Sequence, residues 1–153
     1  ILKKIGAKIK TSKDKIHIQG PKKIKSISNI TTKEYDGFPT DLQPQFMVLL
    51  CKANGISSIT ENIFQGRFIH VMELQRLGAK ITIKDSSAII EGNANLSGSE
   101  VMSSDLRASA ALVLAGIISK GKTTISRIYH LDRGYEKIED KLKKIGVKIK
   151  RLS

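Results

Sequence analysis

The chain has 153 residues, of which 40% are hydrophobic and 27% are charged. This length and balance are typical of a globular domain with its own core, and they exclude an intrinsically disordered chain. No apolar run is long enough to cross a bilayer and the first residues do not resemble a signal peptide, so we expect no membrane insertion.

The net charge of +13 does not by itself indicate a nucleic-acid partner. The lysines that produce this charge are scattered along the chain, and no basic stripe is interleaved with aromatic residues. The single cysteine, Cys51, cannot form an internal disulfide, which fits a reducing compartment. It lies in an apolar stretch, and we expect it to be a buried core thiol rather than a nucleophile.

One landmark occurs three times along the chain, about 70 residues apart. It reads Leu-x-x-apolar-Gly and is followed by alternating apolar residues, at residues 2–10, 74–82 and 142–150. We expect Gly6, Gly78 and Gly146 to end a helix in a left-handed conformation, and the alternation to begin a strand. A second strand is predicted after the first two copies, at residues 15–19 and 88–91.

Two similar series of elements lie between these landmarks. The first is a strand at residues 25–30, a helix opening near Thr40 and a strand at 56–60. The second is a strand at 100–103, a helix opening near Ser104 and a strand at 123–126. We expect Thr40 and Ser104 to be the N-caps, with Gln43 completing a capping box around Thr40.

With a shorter helix before each landmark, the predicted unit is β-α-β-α-β-β, which gives an α/β fold class. We expect residues 1–24 to end one unit, 25–97 to form a complete unit and 98–153 to form a third. The repeat is therefore expected to be incomplete at both ends of the chain.

Four polar residues occupy equivalent places in these units. Asp41 and Asp105 open helices, while Arg67 and Arg133 follow strands, where α/β proteins gather ligands. A carboxylate there can accept a hydroxyl proton or interact with the helix dipole, and an arginine can bind phosphate or form a structural ion pair. The spacing leaves both interpretations open. Arg107, in the first turn of its helix, opposes the dipole, which favours a functional role.

The histidines show no metal-ligand spacing with other histidines, cysteines or carboxylates. We expect structural roles for His17, on a strand facing solvent, and for His70. His130 lies three residues before Arg133, so it could orient that arginine or relay a proton. With no Gly-rich phosphate loop either, the sequence predicts no cofactor and no metal.

Four segments of the chain resemble the UDP-N-acetylglucosamine 1-carboxyvinyltransferases, a family of enolpyruvyl transferases. They are residues 38–46, 63–70, 104–116 and 130–136. The resemblance implies an inside-out α/β barrel of βαβαββ units. It also implies transfer of the enolpyruvyl group of phosphoenolpyruvate to the 3′-hydroxyl of UDP-N-acetylglucosamine, without a cofactor, in cytoplasmic peptidoglycan synthesis. The chain would be the C-terminal portion of such an enzyme.

The resemblance also implies roles for individual residues. Asp41 matches the carboxylate that binds and deprotonates the sugar hydroxyl, and Asp105 matches one that handles protons at the tetrahedral stage. Arg107 and Arg133 match the arginines that hold phosphoenolpyruvate. The resemblance also implies a catalytic role for Arg133.

Three further positions match substrate-binding residues of the family. Ile63 and Phe64 match contacts to the uridine or sugar, and Arg67 matches an arginine near the hinge and site. The family's reactive-cysteine loop and its early catalytic lysine belong to an N-terminal half that nothing here matches. We therefore expect the isolated chain to be inactive. The alternative is a non-catalytic α/β module that binds nucleotides or nucleic acid through phosphates.

Overall fold

The computed structural model describes residues 1–152, which form short strands and helices in alternation. The strands are β1 (Lys8–Thr11), β2 (Ile16–Gln19), β3 (Ile24–Lys25), β4 (Ile30–Thr31), β5 (Ala53–Asn54), β6 (Ile56–Thr60), β7 (Lys80–Lys84), β8 (Ser87–Glu91), β9 (Glu100–Met102) and β10 (Thr124–Ser126). The α-helices are α1 (Gln43–Leu50), α2 (Val71–Arg76), α3 (Leu106–Ile118), α4 (Tyr129–Asp132) and α5 (Ile138–Lys144), and a 3-10 helix (Thr40–Leu42) precedes α1. The predicted α/β class is confirmed.

The largest sheet has four strands in the order β4-β6-β8-β7. Its β4 and β6 are parallel, while β8 is antiparallel to both β6 and β7. The later strands β9 and β10 form a parallel pair like that of β4 and β6. The predicted order strand, helix, strand, helix, strand, strand is therefore present between β4 and β8. The sheets remain open, and residues 1–152 contain no closed barrel.

The core lies between the four-stranded sheet and the helices α1 and α3. From α1, Met47 and Leu50 are fully buried against sheet residues such as Ile59 and Ile90. Such side chains each contribute roughly 1.5–3 kcal/mol on burial. The other side of α1 packs on α3, whose buried face carries several alanines. Small side chains let the two helices approach closely, which brings their first turns to one place.

The three Leu-x-x-apolar-Gly landmarks form one kind of turn. Gly6, Gly78 and Gly146 have φ values of 105°, 94° and 93°. In each copy the glycine N–H and the following N–H donate back to carbonyls three and five residues earlier. This is the hydrogen-bond pattern of a Schellman motif, so the predicted helix stops are confirmed. The first copy, however, consists of turns over residues 2–6 rather than the end of a helix.

Two strand predictions are wrong in detail. The stretch at 25–30 is two short strands, because β3 pairs with β5 whereas β4 pairs with β6. The third landmark does not continue into a strand, since residues 147–152 are irregular. In the first two copies that strand forms a hairpin with the next strand, and the described residues offer the third copy no such partner.

The predicted N-caps are also wrong. The residue that caps α3 is Asp105, not Ser104. Thr40 opens the 3-10 helix and donates its hydroxyl proton to Glu61, and the buried side chain of Gln43 has no hydrogen-bond partner among the described residues, so no capping box forms. Extended backbone at Asp105 lets its own carboxylate reach the free N–H groups of the first turn.

Two other predictions can be compared with the structure. Cys51 is fully buried, as expected, and burial raises the pKa of its thiol to about 12. Over residues 1–152 no helix combines the length and the apolar character that a membrane crossing requires.

Replacing Gly78 by alanine tests the role of this turn. At φ of 94° a Cβ is strained, and it would lie 3.2 Å from the carbonyl oxygen of Asn95. We expect Gly78→Ala to lower the free energy of unfolding by ~1–2 kcal/mol, measured by urea denaturation. Gly20→Ala is the control, because a Cβ there meets nothing within 4 Å. Equal midpoints for the two variants would contradict this account.

Candidate functional site

The carboxylate of Asp41 lies between two arginines from distant parts of the chain. Arg67 Nη1 donates to Asp41 Oδ1 at 2.9 Å, and Arg107 Nη2 donates to Asp41 Oδ2 at 2.5 Å. Asp41 belongs to the 3-10 helix before α1, Arg67 to the loop after β6, and Arg107 to the first turn of α3. The packing of α1 on α3 therefore assembles the cluster, and three of the predicted residues meet.

The cluster keeps Asp41 ionised and carries a net positive charge. The hydrogen bond from Arg107 lowers the pKa of Asp41, burial opposes this, and Arg67 lowers it further. The same contact raises the pKa of Arg107. A guanidinium has five N–H donors, so each arginine keeps donors for another anion. The side chain of Arg107 is 37% exposed, which leaves these donors accessible.

Arg67 is held more firmly than Arg107. Its side chain is only 16% exposed, and Nη1 also donates to the carbonyl oxygen of Thr40 at 3.1 Å. Its guanidinium lies 4.5 Å from the ring centroid of Phe64, within cation-π range. Phe64 and the neighbouring Ile63 are 54% and 44% exposed. Two apolar side chains are therefore presented to solvent beside the charged cluster.

Asp105 has a different environment from Asp41, although the two occupy equivalent places in the repeat. Its Oδ1 accepts the N–H of Arg107 at 2.9 Å and that of Ala108 at 3.0 Å, and Ser104 donates to Oδ2. Burial alone raises the pKa of Asp105, but these hydrogen bonds outweigh it and the net shift is downward. In the structure Asp105 acts as the cap of α3.

Two local features keep Asp41 from capping α1 in the same way, namely its place inside the 3-10 helix and the proline at position 44. Pro44 stands three residues after Asp41, as Ala108 stands three residues after Asp105. Proline has no N–H to donate, so the main backbone partner of such a cap is absent. The carboxylate of Asp41 is left to the two arginines.

Arg133 is not part of the cluster. It follows α4 and is exposed, and among the described residues its side chain takes part in no hydrogen bond or ion pair. The chain nevertheless passes near the start of α3, since a Cβ on Gly134 would lie 2.9 Å from Leu106. Arg133 therefore follows a segment close to the first turn of α3, which also holds Arg107, but it has no contact with Asp41.

Sequence reasoning missed Glu61, which is 5% exposed directly after β6. Burial by itself raises its pKa, but hydrogen bonds from Phe64 N–H, Thr32, Ile63 N–H and Thr40 produce a net lowering. The alternation of inward-facing and outward-facing residues along β6 could have revealed Glu61. Ser57, Ile59 and Glu61 fall on one face of the strand and all are buried, so a carboxylate was to be expected at an inward-facing position.

The histidines differ in their surroundings. His70 is 2% exposed, its Nε2 has no hydrogen-bond partner within residues 1–152, and burial lowers its pKa to about 4 although Asp105 raises it. It is therefore neutral at pH 7, in keeping with the predicted structural role. His17 is exposed on β2, as expected. His130 lies with its ring 4.3 Å from that of Tyr129, and its Nδ1 is buried without a partner among the described residues.

An open cleft of about 390 Å³ adjoins the cluster. Its walls include Glu61, Phe64 and Phe68 from the loop after β6, and Ile83 and Asp85 from the β7–β8 hairpin. Residues 1–152 bring no three His, Cys, Asp or Glu side chains together in a way that could hold a metal ion. The groups available for chemistry include the carboxylates of Asp41 and Asp105 and the free donors of the arginines.

Comparison with known proteins places these residues in a family. The family described as EPSP synthase (3-phosphoshikimate 1-carboxyvinyltransferase) matches residues 1–142. The UDP-N-acetylglucosamine 1-carboxyvinyltransferase of Pelagibacter ubique is 61% identical over all 153 residues, which is 36% of its own length. The enzyme of the same name from Desulfosudis oleivorans is 53% identical over 99% of this chain and 36% of its length. The chain thus spans about a third of these relatives.

Solved structures agree on the fold. The enolpyruvyl transferase NikO from Streptomyces tendae superposes with a TM-score of 0.89 at 28% identity, over 97% of this chain and 34% of that one. The EPSP synthase of Acinetobacter baumannii has a TM-score of 0.72 at 17% identity, over 99% of this chain and 35% of that one. The second likeness concerns the fold alone.

The buried His70 predicts a pH dependence of stability. Its pKa is about 4 when folded and near 6.5 when unfolded, so between these values the unfolded chain binds more protons. Stability therefore falls as the pH drops from 6.5 to 4, by roughly 3 kcal/mol from this group. Urea unfolding across this range should show a smaller loss of unfolding free energy for His70→Gln than for the wild type. The difference between the two proteins cancels the contribution of the carboxylates, which both share. Parallel curves would contradict the prediction.

Proposed function

The chain belongs to the EPSP synthase family, and from that premise we propose that it is part of a UDP-N-acetylglucosamine 1-carboxyvinyltransferase. The identity of 53–61% to enzymes of that name over essentially the whole chain supports the choice within the family. The reaction joins the sugar 3′-hydroxyl to C2 of phosphoenolpyruvate and then expels phosphate. It belongs to peptidoglycan synthesis in the cytoplasm.

The observation that carries the proposal is the position of Asp41 between two arginines. An anionic substrate that reaches Arg107 competes with Asp41 for the same donors, since a guanidinium binds phosphate and carboxylate alike. Once Arg107 turns to the substrate, Asp41 loses the main contact that lowers its pKa. Asp41 then becomes a stronger base at the moment when the sugar hydroxyl must be deprotonated.

The other residues divide into anion binding and sugar-nucleotide binding. Arg107 and Arg133, both on the side of α3 where the helix begins, are proposed to hold phosphoenolpyruvate. Ile63 and Phe64, exposed beside Arg67, are proposed to contact the uridine or sugar. Their apolar surfaces suit a nucleoside, and Arg67 packs on one face of the Phe64 ring.

Asp105 is proposed to handle a proton after addition, when the tetrahedral intermediate breaks down. Its ionised state at the start of α3 suits a proton acceptor, although its hydrogen bonds to Arg107 N–H and Ala108 N–H must then weaken. We also propose that residues 1–24, 25–97 and 98–153 belong to three successive repeat units. The rest of the enzyme would supply the remaining groups.

A chimeric enzyme tests the proposed function. The corresponding third of the Pelagibacter ubique relative is replaced by this chain, and phosphate release is followed with both substrates. We expect turnover within about tenfold of the parent relative, because a 61% identical segment retains the packing that the site needs. A folded chimera that binds UDP-N-acetylglucosamine yet releases no phosphate would refute the proposal.

Within that chimera, Asp41→Asn tests the base. The amide keeps the shape of the side chain but cannot accept the proton, so kcat should fall by about 10²–10⁴ while the Kd for UDP-N-acetylglucosamine changes little. Asp140→Asn is the control, since within residues 1–152 this exposed carboxylate on α5 pairs only with the side chain of Lys143. A near-wild-type kcat for Asp41→Asn would exclude the base role.

The isolated 153-residue chain should show no turnover in the same phosphate-release assay. Catalysis requires groups to be held in a closed arrangement, and the chain spans about a third of its relatives. The chimera measured in parallel shows that the assay works. Phosphate release by the isolated chain that depends on both substrates would contradict this expectation.

A further inference from the structure

Glu61 is a buried carboxylate to which the proposed chemistry assigns no role. It follows the last residue of β6, and its two oxygens accept four hydrogen bonds. Oε1 accepts from Thr32 Oγ1 at 2.8 Å, from Ile63 N at 2.9 Å and from Phe64 N at 3.0 Å. Oε2 accepts from Thr40 Oγ1 at 2.9 Å. A buried carboxylate with several donors is well satisfied and therefore fixed in orientation.

These hydrogen bonds join two segments that are distant in sequence. One oxygen of Glu61 fixes the backbone of Ile63 and Phe64, which begins the turn leading to Arg67. The other oxygen fixes the side chain of Thr40, the residue immediately before Asp41. Thr32, at the end of the neighbouring β4, closes the arrangement by accepting the N–H of Asn62.

Thr40 connects this buried network to the charged cluster. Its hydroxyl is bound by Glu61, while its carbonyl oxygen accepts from Arg67 Nη1 at 3.1 Å. The same Arg67 nitrogen binds Asp41 Oδ1. Glu61, Thr40, Arg67 and Phe64 therefore form a closed ring of contacts with Asp41 at its edge.

We propose that Glu61 is a positioning residue that sets the distance and angle between Asp41 and the guanidinium of Arg67. It acts by holding Thr40 and the Ile63–Phe64 backbone in one rigid arrangement, and it does not touch the substrate. The effect of Glu61 on the geometry is independent of the proposed function. The effect of Glu61 on turnover rests on that function.

Hydrogen-bond geometry, rather than charge, is the means by which Glu61 acts. A glutamine can place its oxygen where Oε1 is, facing Thr32 and the two N–H groups. Its amide can then donate to Thr40 Oγ1, since a hydroxyl is both donor and acceptor. Glu61→Gln should therefore preserve the arrangement, and Glu61→Ala should abolish it.

The test is ¹⁵N NMR of the Arg67 guanidinium in the 153-residue chain near neutral pH. In the wild type the contacts of Nη1 restrict rotation, so the two Nη groups should give separate signals. These signals should stay separate in Glu61→Gln and merge into one in Glu61→Ala. A folded Glu61→Ala chain that keeps separate signals would overturn the proposal.

A second pair of variants keeps the test informative if Glu61→Ala does not fold. Thr40→Val removes only the hydrogen bond to Oε2 and should also merge the signals, whereas Thr40→Ser should keep them separate. Ser87→Ala is the matched control, because Ser87 binds Thr60 at the end of β6 without touching this network. Separate signals in Thr40→Val would equally overturn the proposal.

In the chimera, Glu61→Ala should lower kcat by about tenfold or more, with Glu61→Gln within about threefold of wild type. Loss of folded protein also lowers the apparent kcat with KM unchanged, so each kcat is calculated per mole of folded chimera. If the unmutated chimera is inactive, the proposed function fails while the NMR result still decides the role of Glu61. A fully active Glu61→Ala chimera refutes that role alone.

Discussion

The contact between α1 and α3 is the interaction on which the candidate site depends. Small alanines on α3 let it approach α1 closely, and both helices begin at the same end of the core. Asp41 and Arg107, 66 residues apart in sequence, thereby come within hydrogen-bond distance. Without this packing Arg107 loses its contact with Asp41, and Asp41 keeps only Arg67 from the loop after β6.

The repeat provides two equivalent helix starts, and one local difference gives them separate roles. Asp105 caps α3 through the N–H groups of Arg107 and Ala108. Asp41 cannot do the same, because Pro44 removes the corresponding N–H. Asp41 also lies inside the 3-10 helix, whereas Asp105 has the extended backbone of an N-cap, so the Asp41 carboxylate is left to ionic contacts.

Electrostatics at this site rest on competition for the arginines. Two guanidinium groups share one carboxylate, so the cluster attracts anions while keeping Asp41 ionised. Arg67 packs on the ring of Phe64 and is bound to Thr40, whereas Arg107 is more exposed. Under the proposed function, this difference makes Arg107 the group that turns to an incoming anion, with Arg67 and Glu61 holding the geometry around Asp41.

Local sequence determined the helix stops at Gly78 and Gly146, the left-handed turn at Gly6, the helix openings near Asp41 and Asp105, and the alternation of strands and helices. These features depend on neighbouring residues, so short patterns were enough to predict them. Four motifs also indicated the enolpyruvyl transferase family. Tertiary structure alone decided that Asp41 meets Arg67 and Arg107 but not Arg133, that Glu61 is buried, and that the third landmark forms no strand. Each of these outcomes depends on a partner from a distant segment, and local patterns carry no information about which segments pack together.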